Sequence, residues 1–198
     1  MRKIVVSEFI SLDGVMESPD KWHFQFFSPE AAQFKFDELF ASDALLLGRT
    51  TYEGFAAAWP TMEDDQGFAD RMNSLPKYVA SHRMDKADEW RNSQVLQGDF
   101  VEAITAIKAE SGQDILVYGS ADLVNSMLHY GLVDEIRLMI HPIVVGHGKR
   151  LFGESADSAI LDLDGSELMP NGVVVQTYLP TNRTTELEPS LEPSVDSR

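Results

Sequence analysis

The run Leu45-Leu46-Leu47-Gly48-Arg49-Thr50-Thr51-Tyr52 constrains the fold more than any other stretch. Three consecutive leucines, entered from Ser42-Asp43, are apolar on both faces, as strands of a largely parallel, doubly covered sheet must be. The strand stops at Gly48, and Thr50 and Thr51 are suited to cap a helix running through Tyr52 to Ala58. A helix start presents unpaired N–H groups and a partial positive charge, a natural seat for phosphate. Arg49 adds a planar, permanently charged fork of the right shape. The same octapeptide also fits a plain strand-to-helix turn with a surface arginine, so its neighbours must decide.

Taken in order, residues 3–10 are β-branched-rich and predict a first strand, closed by the Asp-Gly turn of Ser11-Leu12-Asp13-Gly14. Val15 to Phe27 is acidic yet carries Trp22, His23, Phe24, Phe26 and Phe27. Such a segment is either a lid over an apolar ligand or a loop that folds its rings onto the core. Ser28-Pro29-Glu30 opens a helix with Ala32, Phe36, Leu39 and Phe40 on one stripe. Asp37 and Glu38 flank that stripe, where solvated carboxylates are expected. Trp59 to Asp70 reads as a mobile acidic stretch. Lys77 to Ser81 is a strand, and Ser81-His82-Arg83 at its end is a second candidate anion site or a surface pair. Ser93 to Gln97 is a short strand, and Asp99 caps the helix that follows. Asp114 to Val117 leads into Tyr118-Gly119-Ser120, repeating the strand, glycine turn and helix start. Alternating strands and helices imply parallel pairing through right-handed crossovers. Glu135–His141 and Gly172–Tyr178 follow as antiparallel edge strands, giving a mixed sheet. His141 is expected to be a core or interface histidine. Residues 1–180 therefore form one domain, and the polar, proline-dotted 181–198 is expected to be a disordered tail.

The net charge of −16 opposes a nucleic-acid or anionic-membrane partner, while leaving room for a small anion where cations gather. With no cysteine, disulfides and thiolate metal or nucleophile chemistry are excluded, and no metal site is expected. Met1-Arg2-Lys3 leads directly into the first strand without a signal-peptide core, and no apolar run spans a membrane, so a cytoplasmic location is expected.

Three strand ends thus carry ligand-like features, and ligands of open α/β sheets bind outside the carboxyl ends of strands. Three turns side by side suit an extended, multiply phosphorylated dinucleotide. With Ser11-Leu12-Asp13-Gly14, Leu47-Gly48-Arg49-Thr50-Thr51-Tyr52-Glu53, Tyr118-Gly119-Ser120-Ala121-Asp122-Leu123, Gly131-Leu132-Val133-Asp134-Glu135 and Pro142 to Phe152 in this order, the chain resembles the RibD C-terminal reductase family. That family shares the dihydrofolate reductase-like fold. The resemblance implies a three-layer αβα domain, a mainly parallel mixed sheet with antiparallel C-terminal strands, and NADPH as cofactor. It places Gly48, Arg49, Thr50 and Thr51 at the pyrophosphate and adenosine-side phosphate. Ser81, His82 and Arg83 would hold the adenine ribose and its 2′-phosphate. Tyr118, Gly119, Ser120, Ala121, Asp122 and Leu123 would approach the pyrophosphate and nicotinamide ribose.

Arg49 with Arg83 is the reason to expect NADP over NAD, whose free 2′-hydroxyl usually calls for a carboxylate. The absence of Gly-x-Gly-x-x-Gly argues against an ordinary Rossmann dehydrogenase. Ser11, Leu12, Asp13, Gly14 and Trp22 should border the nicotinamide and a small heterocyclic or sugar-derived substrate. Asp13 is the candidate proton donor or hydrogen-bond acceptor, with closure of the Asp-Gly turn as its other role. The expected reaction is hydride transfer from NADPH, resembling the 5-amino-6-(5-phosphoribosylamino)uracil reductase step of riboflavin biosynthesis. Alternatives are a dihydrofolate or pterin reductase, or a non-catalytic NADP-binding module. Against folate, Glu30 and Asp37 do not fall in register for a substrate carboxylate. Glu135 to Phe152 is the expected homodimer surface.

Overall fold

Leu45, Leu46 and Leu47 are wholly buried, Leu46 against one face of a sheet and its two neighbours against the other. The computed structural model describes residues 1–153 and 156–181. Its strands are β1 (Ile4–Ser11), β2 (Ser42–Gly48), β3 (Lys77–Ala80), β4 (Ser93–Val95), β5 (Asp114–Val117), β6 (Glu135–His141), β7 (Leu161–Leu168) and β8 (Val174–Pro180). They lie in the order β4-β3-β2-β5-β1-β6-β8-β7. From β4 to β6 every neighbouring pair is parallel, and β8 and β7 are added antiparallel. The helices are α1 (Pro29–Phe40), α2 (Arg49–Ala58), α3 (Phe68–Ser74), α4 (Phe100–Ala109) and α5 (Ala121–His129). Ile104 and Ile107 of α4 pack with Val124 and Met127 of α5 on one face. Leu39 of α1, Tyr52 and Ala56 of α2 and Met72 of α3 cover the other, completing three layers. No helix among the described residues is long and apolar enough to cross a membrane. Of the tail expected at 181–198, Thr181 donates its amide to the Ile160 carbonyl at 3.1 Å, and 182–198 lies outside the described residues.

Two expectations are corrected. The acidic stretch from Trp59 to Asp70 contains the start of α3, because the Asp64 carboxylate accepts the amides of Gln66, Phe68 and Ala69 at 2.6 to 3.1 Å. β6 is an interior strand parallel to β1, since α5 is long enough for a crossover; the antiparallel hairpin is β7–β8. β7 escapes a sequence reading because most of it is exposed, with Leu163 and Leu168 in solvent. β6 is flanked by β1 and β8, so both of its edges are paired within the chain.

One interior cation fixes the β3 side of the sheet. Lys77 is fully buried, and its ammonium donates to the carbonyls of Asn73, Leu75 and Arg91 at 2.8–3.1 Å above the Trp90 ring. Those bonds anchor the base of β3, whose other end carries Ser81 to Arg83.

Candidate functional site

Parallel pairing puts the carboxyl ends of β3, β2, β5, β1 and β6 on one rim. β2 lies between β3 and β5, with Gly48 opposite Ala80 and Leu46 opposite Val117. Ser81 to Arg83, Gly48 to Thr51 and Tyr118 to Leu123 therefore leave the sheet side by side, and the loop Leu12 to Gly14 leaves beside them from β1.

The β2 and β5 turns are in contact. A Cβ on Gly48 would lie 2.0 Å from Ser120 Oγ, and one on Gly119 would lie 2.6 Å from Thr51 Oγ1. Gly119 has φ +72°, and Ser120 shares that left-handed φ with ψ 92°. For a serine such a backbone costs about 1–3 kcal/mol, a strain that clusters at functional sites. Thr51 Oγ1 and Ser120 Oγ lie 3.4 Å apart. The two glycines thus let the Thr51 and Ser120 side chains fill the space between the turns.

Helix capping separates this rim from the rest of the fold. The starts of α1 and α4 are capped by Ser28 and Asp99 side chains. α2 and α5 have no side-chain cap. The expectation that Thr50 and Thr51 cap α2 is thus corrected: Gly48 is the N-cap, and both threonines lie inside the first turn. Two helix starts with uncapped amides beside one another form an anion seat. Arg49 stands at its edge, half in solvent, with Nη1 donating to both Glu53 oxygens at 2.9 Å. An exposed i,i+4 pair is worth only a few tenths of a kcal/mol, so a phosphate can displace it. His82 and Arg83 are exposed, and the Ser81 hydroxyl accepts the Arg83 amide at 3.0 Å. Ala121 and Leu123 turn their side chains into the core, leaving backbone toward the rim. Asp122 is exposed and paired with Lys149 at 2.5 Å. The Tyr118 side chain is buried, and its hydroxyl donates inward to Glu38 at 3.0 Å, so only its backbone reaches the rim.

Asp13 is a loop anchor. Its carboxylate accepts the Ser11 hydroxyl at 2.6 Å and the amides of Val145 and Gly146 at 3.0 and 2.8 Å. These bonds, the Ser11 one foremost, hold its pKa down to about 2. An ionised carboxylate with its lone pairs engaged has no proton to donate, so the turn-closing role applies. Ser11 is buried within that arrangement, Gly14 turns at φ +80°, and Leu12 projects into solvent.

The aromatic segment divides. Trp22 is buried edge-on to His141 at 5.2 Å, and its indole donates to the Glu17 carbonyl. His23 stacks on Phe9 at 4.8 Å, while Phe24 and Phe27 remain exposed. His141 is a core histidine whose Nδ1 lies 2.9 Å from the Met139 carbonyl, and burial pushes its pKa down.

The sequence reading missed two buried carboxylates. Glu38 is shielded from solvent at the end of α1, whereas Asp37 and Glu30 are exposed. Its Oε1 accepts Ser7 and Tyr118 hydroxyls at 2.9 and 3.0 Å and pairs with Lys35 at 2.5 Å. Its Oε2 faces Arg137 at 3.6 Å and has no hydrogen-bond partner. The solvated-flank expectation is therefore wrong for Glu38. Tyr118, buried against this carboxylate, has its pKa raised well above the ordinary value, chiefly by burial. Glu8, also buried, sits where the sheet opens. β1 pairs with β5 only over Ile4 to Val6, but with β6 over Val5 to Ser11. In the gap beyond Val6, both Glu8 oxygens accept the Gly119 amide, at 2.8 and 3.0 Å. The alternation Ile4, Val6, Glu8, Ile10 was the available signal, placing a carboxylate at an inward position. A hollow lined by Leu128, His129 and Phe152 lies at the opposite end of α5 from this rim.

The fold and rim define a dihydrofolate reductase-like α/β protein. The family model of the RibD C-terminal domain matches residues 2–175, and the chain belongs to that family. YyaP of Bacillus subtilis (strain 168), an uncharacterized protein, is 29% identical over 181 residues, covering 89% of this chain and 94% of YyaP. A Shewanella sp. PV-4 structure, provisionally named a riboflavin biosynthesis protein, superposes with TM-score 0.71 at 22% identity over 90% of this chain and 99% of that one. The dihydrofolate reductase of Enterococcus faecalis, complexed with NADP(H) and RAB-propyl, gives TM-score 0.62 at 14% identity over 91% and 97%. At 22% and 14% identity, both superpositions show a shared fold.

Proposed function

We propose that the chain is an NADPH-dependent reductase that transfers a hydride to a polarised C=N or C=O of a small heterocycle, in the manner of the RibD reductase domain. The observation that carries this reading is the single rim joining three phosphate-suited turns, with Gly48 and Gly119 at positions a Cβ would obstruct. The two uncapped helix starts, held together by these glycine contacts, and the nearby guanidinium groups fit a dinucleotide. Its nicotinamide would supply the hydride, and the protein's work is binding, orientation and water exclusion. The amides opening α2 and α5 would hold the pyrophosphate. Arg49 and Arg83 would neutralise the remaining phosphate charge and favour NADP over NAD. Ser11 to Gly14 would border the nicotinamide side, fixed there by the ionised Asp13. Trp22, packed on His141, would close the loop over the substrate.

Arg49→Ala tests the assignment. Losing a charge-assisted phosphate contact costs about 1.5–3 kcal/mol, about ten- to hundredfold in NADPH affinity. Fluorescence titration should show that loss, with the melting temperature unchanged because only an exposed pair is broken. Unaltered NADPH binding would remove Arg49 from the site.

A second reading, pterin reduction, draws on Glu38, an inward carboxylate of α1 with one unpartnered oxygen. NADPH oxidation with pyrimidine and pterin substrates separates the two, and tight binding without turnover favours a non-catalytic NADP-binding module. We further propose a homodimer through the exposed β7 edge, with Leu163 and Leu168 at the contact; light scattering reads that state directly. A cytoplasmic setting accords with the soluble substrate class.

A further inference from the structure

Beyond Val6 the β1–β5 ladder ends, and the bond that would continue it is made by a side chain. Glu8 takes the Gly119 N–H with both carboxylate oxygens, at 2.8 and 3.0 Å. Gly119 begins the left-handed Gly119–Ser120 turn that sets the start of α5 against Thr51. Glu8 therefore fixes the turn from below, one peptide away from the uncapped amides of α5. The same place holds a carboxyl group with 4% exposure. When ionised, that carboxyl puts a negative charge directly beneath a surface suited to phosphate. When protonated, it still accepts the Gly119 N–H through its carbonyl oxygen and removes the charge.

We propose that Glu8 is a positioning residue for the Gly119–Ser120 turn, and that it must carry a proton for the turn to receive the phosphates of NADPH, so that cofactor binding takes up a proton. This rests on the cofactor reading above and extends it to the chain's own proton inventory.

The charged groups around Glu8 leave the coupling to this residue. Lys35 of α1 favours its ionised form and Glu38 of the same helix opposes it. Tyr118, at the end of β5, is held neutral by its own burial, and Arg137 of β6 is committed to Glu135 and Glu38. Burial outweighs Lys35 and the Gly119 bond, and raises the Glu8 pKa to about 8. Among the described residues, Lys77 is also held down to about 8 by burial, at the far end of β3. The 2′-phosphate of NADPH, with a second pKa of about 6, is already fully charged there.

The experiment is calorimetric titration of the full chain with NADPH from pH 7 to 9.5, in two buffers of different ionisation heat. Wild type should take up almost no proton at pH 7 and close to one at pH 9. Its Kd should rise about tenfold per pH unit above pH 8. Glu8→Gln keeps a carbonyl acceptor for Gly119 and cannot ionise, so it should bind with a Kd that does not change across this range. Glu8→Ala, which removes both the acceptor and the charge, should also show a pH-independent Kd but bind more weakly than Glu8→Gln at every pH. A wild-type Kd that ignores pH, a Glu8→Gln variant that keeps the wild-type slope, or a Glu8→Ala variant that binds as tightly as Glu8→Gln would each overturn the proposal and leave the cofactor reading intact. No binding of NADPH by wild type at any pH would overturn both.

Discussion

Gly119→Ala is expected to lower NADPH affinity by more than about a hundredfold and to destabilise the chain by about 2–5 kcal/mol. Two costs combine. An L side chain at φ +72° costs about 1–2 kcal/mol. The added methyl would also stand 2.6 Å from Thr51 Oγ1 and 2.9 Å from Thr51 Cγ2, and overpacking of this kind costs about 1–3 kcal/mol. Thr51 cannot simply swing away, because a β-branched side chain in a helix has few rotamers. The starts of α2 and α5 must separate instead, which opens the seat for phosphate. Denaturant melts and NADPH titration measure the two effects. The double variant Gly119→Ala, Thr51→Ala should recover part of the stability, since it relieves the clash but not the backbone cost. A Gly119→Ala protein that binds NADPH normally would show that this turn takes no part in the site.

Glu38→Ala is expected to cost about 3–5 kcal/mol, the penalty for removing one partner of a buried ion pair. Lys35 would lose its 2.5 Å counter-ion, and the hydroxyls of Ser7 and Tyr118 would lose their acceptor. For a domain of this size the melting temperature should fall by about 10 °C. Asp37→Ala, one residue away, should change stability by less than about 0.5 kcal/mol, because Asp37 is exposed and bonded only to Gln33. Paired melts of the two variants make the comparison. Equal small effects would mean that the polar cluster is dispensable to the fold.

The contrast between Asp37 and Glu38 shows where the sequence is legible. Local chemistry was readable. Leu45 to Gly48 announced a doubly covered strand, Ser28 and Asp99 announced their helices, and the two glycine turns announced the rim. Those features are set by residues adjacent in the chain. The polar cluster is set by distance in space: Glu38 meets a tyrosine 80 residues away and Glu8 an amide 111 residues away. A helical stripe cannot reveal that its flanking carboxylate faces such partners. Asp13 fails for the same reason. Its Asp-Gly signal was visible, but the amides of Val145 and Gly146 that keep it ionised lie 132 and 133 residues on. β6 was misplaced, because alternation marks a strand without naming its neighbour, and β7 was missed. Only the short crossover through α5 made β6 parallel, and β7 is too exposed to show a buried face.

The central claim is that three turns act as one receptor for a single extended cofactor, and amide hydrogen exchange reads each turn separately. Adding NADPH should slow exchange together at residues 49–51, 81–83 and 119–123, and leave the edge strand 161–168 unchanged. Protection confined to one of the three turns, or appearing only elsewhere in the chain, would contradict it.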